Sequence, residues 1–204
     1  MKIYETEMTP SCRRVSLFLK ELGVDVPRVQ VNVREGENLT DEFLRKCVNG
    51  KVPLLELDDG TTVCESVAIC RYFDEVTPND HALFGRNALE KAQVEMWHRV
   101  VEFQGLVAGF QAFRNLTGMY KDREHCVEAW GVESKARVEA FLPQLDQRLA
   151  ESSYVAGEHF TIVDITSYIF IGFAMKGLNI EVLNRFTHIA QWFECVSARP
   201  AFQS

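Results

Sequence analysis

VPLLELDDGTTVCES, Val52 to Ser66, is the stretch on which the fold turns. Apolar residues on either side of an Asp59-Gly60 step spell a strand, a tight turn and a second strand. Pro53 stands where the first strand begins, a position at which its missing N–H costs no ladder bond. Ser66 opens a helical run, SVAICRYFDEV. Toward the N-terminus, Lys2–Glu5 is a short strand. Over Arg13–Leu22 the apolar residues Val15, Leu17, Phe18, Leu19 and Leu22 make a helix, with Gly23 placed as its left-handed terminator. Val29, Val31 and Val33 alternate with polar residues and read as a second strand. Thr40 caps a helix running through Cys47. The order is βαβαββα over residues 1–77. A turn-rich segment, TPNDHALFG, supplies a linker over 78–85.

From Asn87 onward the period is helical. In LEKAQVEMWHRVVEFQGLVAGFQAF, the residues Leu89, Met96, Val100, Phe103, Val107 and Phe110 recur at spacings of three, four and seven and read as the packing face. Further helices are expected over 132–150, 162–176 and 188–198. The 162–176 helix has the clearest start signal in the chain. Thr161 and Asp164 form a capping-box pair, with Phe160 and Ile165 at the staple positions. The expectation is an α/β domain over 1–77 and an all-α domain over 86–204.

Composition narrows the function classes. The chain has 204 residues, 47% hydrophobic and 25% charged, with a net charge of −7. No Lys/Arg cluster forms a nucleic-acid footprint, so no nucleic-acid partner is expected. The N-terminus carries acids and lacks an apolar core, so it does not read as a signal peptide. The stretch IVDITSYIFIGFAMKGLNI is interrupted by Asp164 and Lys176 and is too polar to span a bilayer, so no membrane partner is expected. Six cysteines are scattered with no C-x-x-C pair and no His at zinc spacing. The expectation is reduced thiols in a cytoplasmic protein with no metal.

Three stretches carry chemistry. Thr9-Pro10-Ser11-Cys12 has the frame of a CPxC redox turn, with a hydroxyl where the attacking sulfur belongs. A βαβαββα unit with this turn after its first strand is a thioredoxin-like pattern, which puts the turn at a helix N-terminus. Free N–H groups and the helix dipole favour a thiolate there, including one brought by a ligand. Thr9 and Ser11 also read simply as cap residues. Val52-Pro53 is the second stretch. In thioredoxin-like folds a Pro here is cis and leaves Val52 free to pair with an extended peptide. A trans Pro opening a strand is the plainer alternative. The third is Glu65-Ser66: a hydroxyl at a helix N-terminus can take a carboxylate, and the acid beside it an ammonium. Together they match the thiol, peptide and amino-acid head of γ-glutamyl-cysteinyl-glycine.

The stretches MTPSCRRVSLFLKELG, NGKVPLLELDDGTTVCESVAICRYF, AQVEMWHR and YVAGEHFTIVDIT resemble cytosolic glutathione transferases, and most closely the bacterial and fungal subgroup like yeast Gtt2. The resemblance spans about residues 2 to 202. It implies a thioredoxin-like N-terminal domain with a glutathione site, a helical C-terminal domain, a hydrophobic co-substrate site between them, and a homodimer. Thr9 falls where many classes carry the catalytic Ser or Cys, with Ser11 and Cys12 as close alternatives. Thr is a less usual residue there. Asn38 and Lys51 fall on the contacts to the carboxylates and glycine end, and Val52, Pro53, Glu65 and Ser66 on those to the peptide and γ-glutamyl group. Phe103, Phe110, Phe113 and Tyr120 are candidate walls of the co-substrate site, or simply core. Arg13 or Arg14 either adds positive field near the sulfur or makes a salt bridge. The expected activity is conjugation of glutathione to small hydrophobic electrophiles. Glutathione-dependent reduction of disulfides or peroxides, and a non-catalytic scaffold, are the alternatives.

Overall fold

The computed structural model describes residues 1–203, which divide into two compact units, Met1–Ala82 and Leu83–Ser204. The first unit runs β1 (Lys2–Glu5), α1 (Pro10–Glu21), β2 (Arg28–Gln30), a 3-10 turn (Glu37–Leu39), α2 (Asp41–Lys46), β3 (Leu54–Glu56), β4 (Thr62–Cys64) and α3 (Ser66–Val76). The strands order as β2-β1-β3-β4, with β1 parallel to β2 and β3 antiparallel to both β1 and β4. The Asp59-Gly60 turn closes as read: Gly60 has φ +85 and its amide donates to the Leu57 carbonyl. Thr40 caps α2 by accepting from the Phe43 amide at 3.3 Å. Helix α1 ends at Gly23 with φ +67.

The valine alternation forms only the short edge strand β2. Val31 is buried beyond its end, while Val29 stays 37% exposed, because an edge strand has one packed face. Helices α1 and α3 pack on each other and bury Val15, Phe18, Leu19, Ile69, Cys70 and Phe73. Val31, Phe43, Cys47 and Leu54 form a separate cluster, against which Tyr4, Val33, Val52 and Cys64 pack.

The second unit contains α4 (Ala88–Val100), a π-helical segment (Val101–Val107), α5 (Ala108–Thr117), α6 (Glu128–Glu151), α7 (Ile162–Leu178) and α8 (Thr187–Ser197), followed by a 3-10 turn (Pro200–Phe202). The packing face expected for the first long helix is corrected here. Leu89, Met96 and Phe103 are 68%, 51% and 60% exposed, whereas Val94, His98, Val101, Gly105, Ala108 and Ala112 are buried. The buried set repeats at four and three as a packing face should, but small or polar residues hide it from a hydrophobic reading. The π segment also takes more residues per turn and shifts the phase partway along. Gly105 is required by packing: a Cβ there would lie 3.0 Å from the Phe170 ring.

Helix α7 is buried along most of its length, and its capping box forms as read. Asp164, fully buried, accepts from the Thr161 amide at 2.9 Å, the Val155 amide at 3.0 Å and the Trp192 indole N–H at 3.0 Å. It thus ties α7 to the 152–160 loop and to α8. Asp164→Ala leaves three buried donors unsatisfied and should cost about 3–5 kcal/mol, read as a fall in the thermal unfolding midpoint. Burial raises this carboxyl from its ordinary 3.8 to about 6. Folding therefore takes up a proton between those values, so the contribution is complete below the lower one and lost as pH rises through the upper one. Asp164→Asn should flatten that part of the stability profile, measured by urea unfolding between about pH 4 and pH 7.

Candidate glutathione site

Strand register brings the three stretches to one end of the sheet. Tyr4 pairs with Leu54 and Leu54 with Cys64, so one step onward Glu5, Pro53 and Glu65 stand level across β1, β3 and β4. The turn into α1 follows Glu5, the Val52-Pro53 step precedes Leu54, and α3 begins after Glu65.

At the first stretch, Thr9 is the N-cap of α1 and Pro10 its first helical residue. Thr9 makes no side-chain cap. Its hydroxyl donates to the Thr6 carbonyl at 2.9 Å. Pro10 has no N–H, so the Ser11 and Cys12 amides head the helix without an intrahelical acceptor. Ser11 is half-buried. Cys12 is wholly buried, and burial pushes its thiol above the ordinary range. Its sulfur belongs to the core beneath the turn, which removes Cys12 from the residues that a ligand can reach.

At the second, the Val52-Pro53 peptide bond is cis. No backbone hydrogen bond within the described residues engages Val52, and the residue is half-buried. The turn before it is held from three sides. Asn38, expected as a ligand contact, is buried and donates its amide N–H to the Gly50 carbonyl at 2.6 Å. Gly50 has φ +58, and a Cβ there would meet Leu44 at 3.0 Å and the Asn38 carbonyl at 3.3 Å. Asn49 Oδ1 accepts from the Lys51 amide at 3.2 Å. The Lys51 side chain extends from an exposed residue.

At the third, Glu65 rather than Ser66 is the N-cap of α3. Glu65 sits at φ 69 and ψ 120, outside the left-handed helical well, a conformation that costs a non-glycine residue of order 1–3 kcal/mol and gathers at functional sites. Its exposed carboxylate accepts from Asn49 Nδ2 at 2.7 Å. Ser66 is buried and accepts from Arg14 Nη1 at 3.0 Å. A hydroxyl that accepts on one side keeps its proton to donate on the other. Arg14, 2% exposed, therefore faces α3 and not solvent.

Sequence reading missed Asn49 and the direction of Arg14. A long-range polar partner leaves no periodic trace, although Asn followed by Gly does mark a turn. The four aromatic candidates do not form one group. Phe110 and Phe113 both meet Phe173, at 5.1 and 5.5 Å between centroids. Tyr120 lies beside Arg114 and Arg123 in the loop after α5, and Phe103 lies on the exposed stripe with Arg99 over its ring. His98 is buried, its Nε2 2.8 Å from Thr166 Oγ1. No cluster of three or more His, Cys, Asp or Glu able to hold a metal exists among the described residues.

A thioredoxin-like unit with this site, joined to a helical unit, defines a class of glutathione-using enzymes, and the comparisons agree. Residues 9–76 match the family model of the glutathione S-transferase N-terminal domain, and residues 111–200 that of the C-terminal domain. The chain belongs to the glutathione S-transferase family and is a glutathione transferase. Its likeness runs to the Gtt2 group. The crystal structure of a class Gtt2 enzyme from Vibrio parahaemolyticus is 67% identical with a TM-score of 0.91, covering 100% of this chain and 96% of that one. That of Gtt2 from Saccharomyces cerevisiae is 30% identical with a TM-score of 0.89, covering 100% and 99%. Glutathione S-transferase 2 of Saccharomyces cerevisiae is 31% identical over 98% of this chain and 87% of its own length.

Asn49→Ala removes the group shared by the Glu65 carboxylate and the Lys51 amide. Glutathione affinity should fall about tenfold, the worth of one charge-assisted hydrogen bond, with little change in thermal stability because Asn49 is exposed. Calorimetric titration beside a melting curve reads both.

Proposed function

We propose that the chain conjugates reduced glutathione to small hydrophobic electrophiles, with the glutathione thiolate seated at the N-terminus of α1. The observation that carries this reading is the uncapped first turn. Thr9 turns its hydroxyl away to Thr6, and the Ser11 and Cys12 amides have no intrahelical acceptor. An anion completes such a helix end, and an incoming thiol becomes that anion by losing its proton. A free thiol is mostly protonated at neutral pH and weak as a nucleophile. Lowering its pKa and holding the electrophile beside it are what catalysis here requires.

In this reading the half-buried Val52 edge, its backbone engaged by no other backbone group among the described residues, pairs with the cysteinyl peptide, and Lys51 meets the glycine carboxylate. Ser66 donates its remaining proton to the γ-glutamyl carboxylate. Glu65, held by Asn49, pairs with the ammonium. Asn38 acts one layer behind, through Gly50. The hydroxyl that helps the amides is more readily that of Ser11, because the Thr9 proton is already committed. Phe110, Phe113 and Tyr120 are the better candidates for the apolar wall. Phe103 goes with Leu89 and Met96, each seven residues apart, as a face that a second copy of the chain covers in a homodimer. The six unpaired cysteines fit a reducing compartment, the cytoplasm, and electrophile detoxification fits the chemistry.

Ser11→Ala should raise the pKa of bound glutathione by about one unit, and Thr9→Ala by less, with affinity nearly kept in both. Ultraviolet thiolate absorbance against pH measures this; an equal pKa in all three proteins would remove the hydroxyls from the mechanism. Phe103→Glu should turn a dimer into a monomer in sedimentation velocity, and a wild-type chain that sediments as a monomer would refute the dimer.

A further inference from the structure

Two thiols outside the transferase machinery face each other behind the glutathione site. Cys47, the C-cap of α2, and Cys64, the last residue of β4, have sulfurs 3.3 Å apart. Cys47 is fully buried and Cys64 half-buried, so a reagent reaches the pair through Cys64. Cys64 donates to Cys47, whose sulfur in turn lies 3.1 Å from Asn49 Oδ1 and 3.2 Å from the Lys51 carbonyl. The thiol pair is thus wired to the two residues that shape the 49–51 turn, and through Asn49 to the Glu65 carboxylate.

We propose that Cys47 and Cys64 form a closable dithiol, oxidised by glutathione disulfide to an intrachain disulfide that weakens glutathione binding. The weakening rests on the reading of Lys51, Val52 and Glu65 as glutathione contacts; the closure does not. The Cys64 thiolate attacks one sulfur of glutathione disulfide, forming a mixed disulfide and releasing one glutathione. Cys47, giving up its proton, attacks the Cys64 sulfur and releases the second. One protein dithiol and one glutathione disulfide become one protein disulfide and two glutathiones. The sulfurs approach by about 1 Å to reach bonding distance. Closure removes the S–H donor from Asn49 and the Lys51 carbonyl and draws the end of α2 toward β4. Burial, the Cys47 contact and the Glu65 charge push the Cys64 thiol up to about 11, so closure is slow at neutral pH and is best driven in mild alkali.

The test uses the full chain carrying Cys126→Ser and Cys195→Ser, which removes the thiols outside the first unit that are open to solvent. The protein is equilibrated with glutathione disulfide at about pH 8.5, where more of the thiol is ionised, then denatured, alkylated and mapped by mass spectrometry. A desalted portion is titrated with reduced glutathione. The expected result is a linked Cys47–Cys64 peptide, a mass lower by two hydrogens, and affinity weaker by about tenfold that dithiothreitol restores. Cys64→Ala in the same background should show neither change. Alkylation of both cysteines, or a mixed disulfide that stays on Cys64, overturns the closure. A closed protein that binds glutathione as the reduced one does overturns the coupling. A reduced chain that binds no glutathione overturns the coupling together with the site reading, and the linked peptide still decides the closure.

Discussion

The antiparallel run of β3 against both of its neighbours is the constraint from which the site follows. Because Leu54 is level with Tyr4 on one side and Cys64 on the other, the chain must leave β1, enter β3 and leave β4 at the same sheet end. A parallel β3 would send the Val52-Pro53 turn to the opposite end, far from α1. The helices that follow β1 and β4 then both start at this end, and two helix N-termini with the Val52 edge between them are the frame of the site proposed for an extended, doubly anionic peptide. Arg14 and Ser66 join these two helices by one buried hydrogen bond. That bond uses the serine oxygen as acceptor and leaves the hydroxyl its proton to donate.

Support behind the contacts is polar and local. Asn38 on Gly50, Asn49 on Lys51 and Glu65, and Cys47 on Asn49 and Lys51 hold a turn of three residues. The positive φ of Glu65 belongs to the same scheme: an exposed residue keeps an unfavourable backbone conformation where its carboxylate is wanted in one place. Such strain is tolerated because the strand before it and α3 after it fix both ends.

The elements that could be read from sequence are those with short-range causes. Asp59-Gly60 names its own turn, Gly23 its helix end, Thr40 its cap and Thr161 with Asp164 their box, and each forms as read. The face of the run from α4 through the π-helical segment into α5 could not be read, because it packs through His98, Gly105 and Ala112 while Leu89, Met96 and Phe103 look outward. Amphipathic periodicity assumes that large apolar side chains seek the core. That assumption fails where helices approach closely over glycine, as Gly105 does at the Phe170 ring, or where a helix keeps an apolar face for another chain. The residues proposed as contacts stand out in the sequence only as types at positions. Asn38 shows the limit of that vision, since an amide near the ligand in sequence spends itself on the Gly50 carbonyl.

The missing sulfur at Thr9 can now be set against the thiols that the unit does hold. Cys12 and Cys70 are fully buried, and burial raises both, Cys70 to about 12. Cys64 is held near 11. Burial leads the causes that keep each of these three resident thiols protonated, in the same unit in which the uncapped start of α1 favours an anion. Protonated thiols neither attack an electrophile nor compete for the helix end. A helix terminus stabilises whichever anion reaches it, so in the proposed reading selectivity comes from keeping the protein's own sulfur away while the proposed peptide edge and head-group clamp deliver another. On that proposal, a threonine at the position of an attacking cysteine completes a division of labour: the fold supplies the field, and the ligand supplies the sulfur.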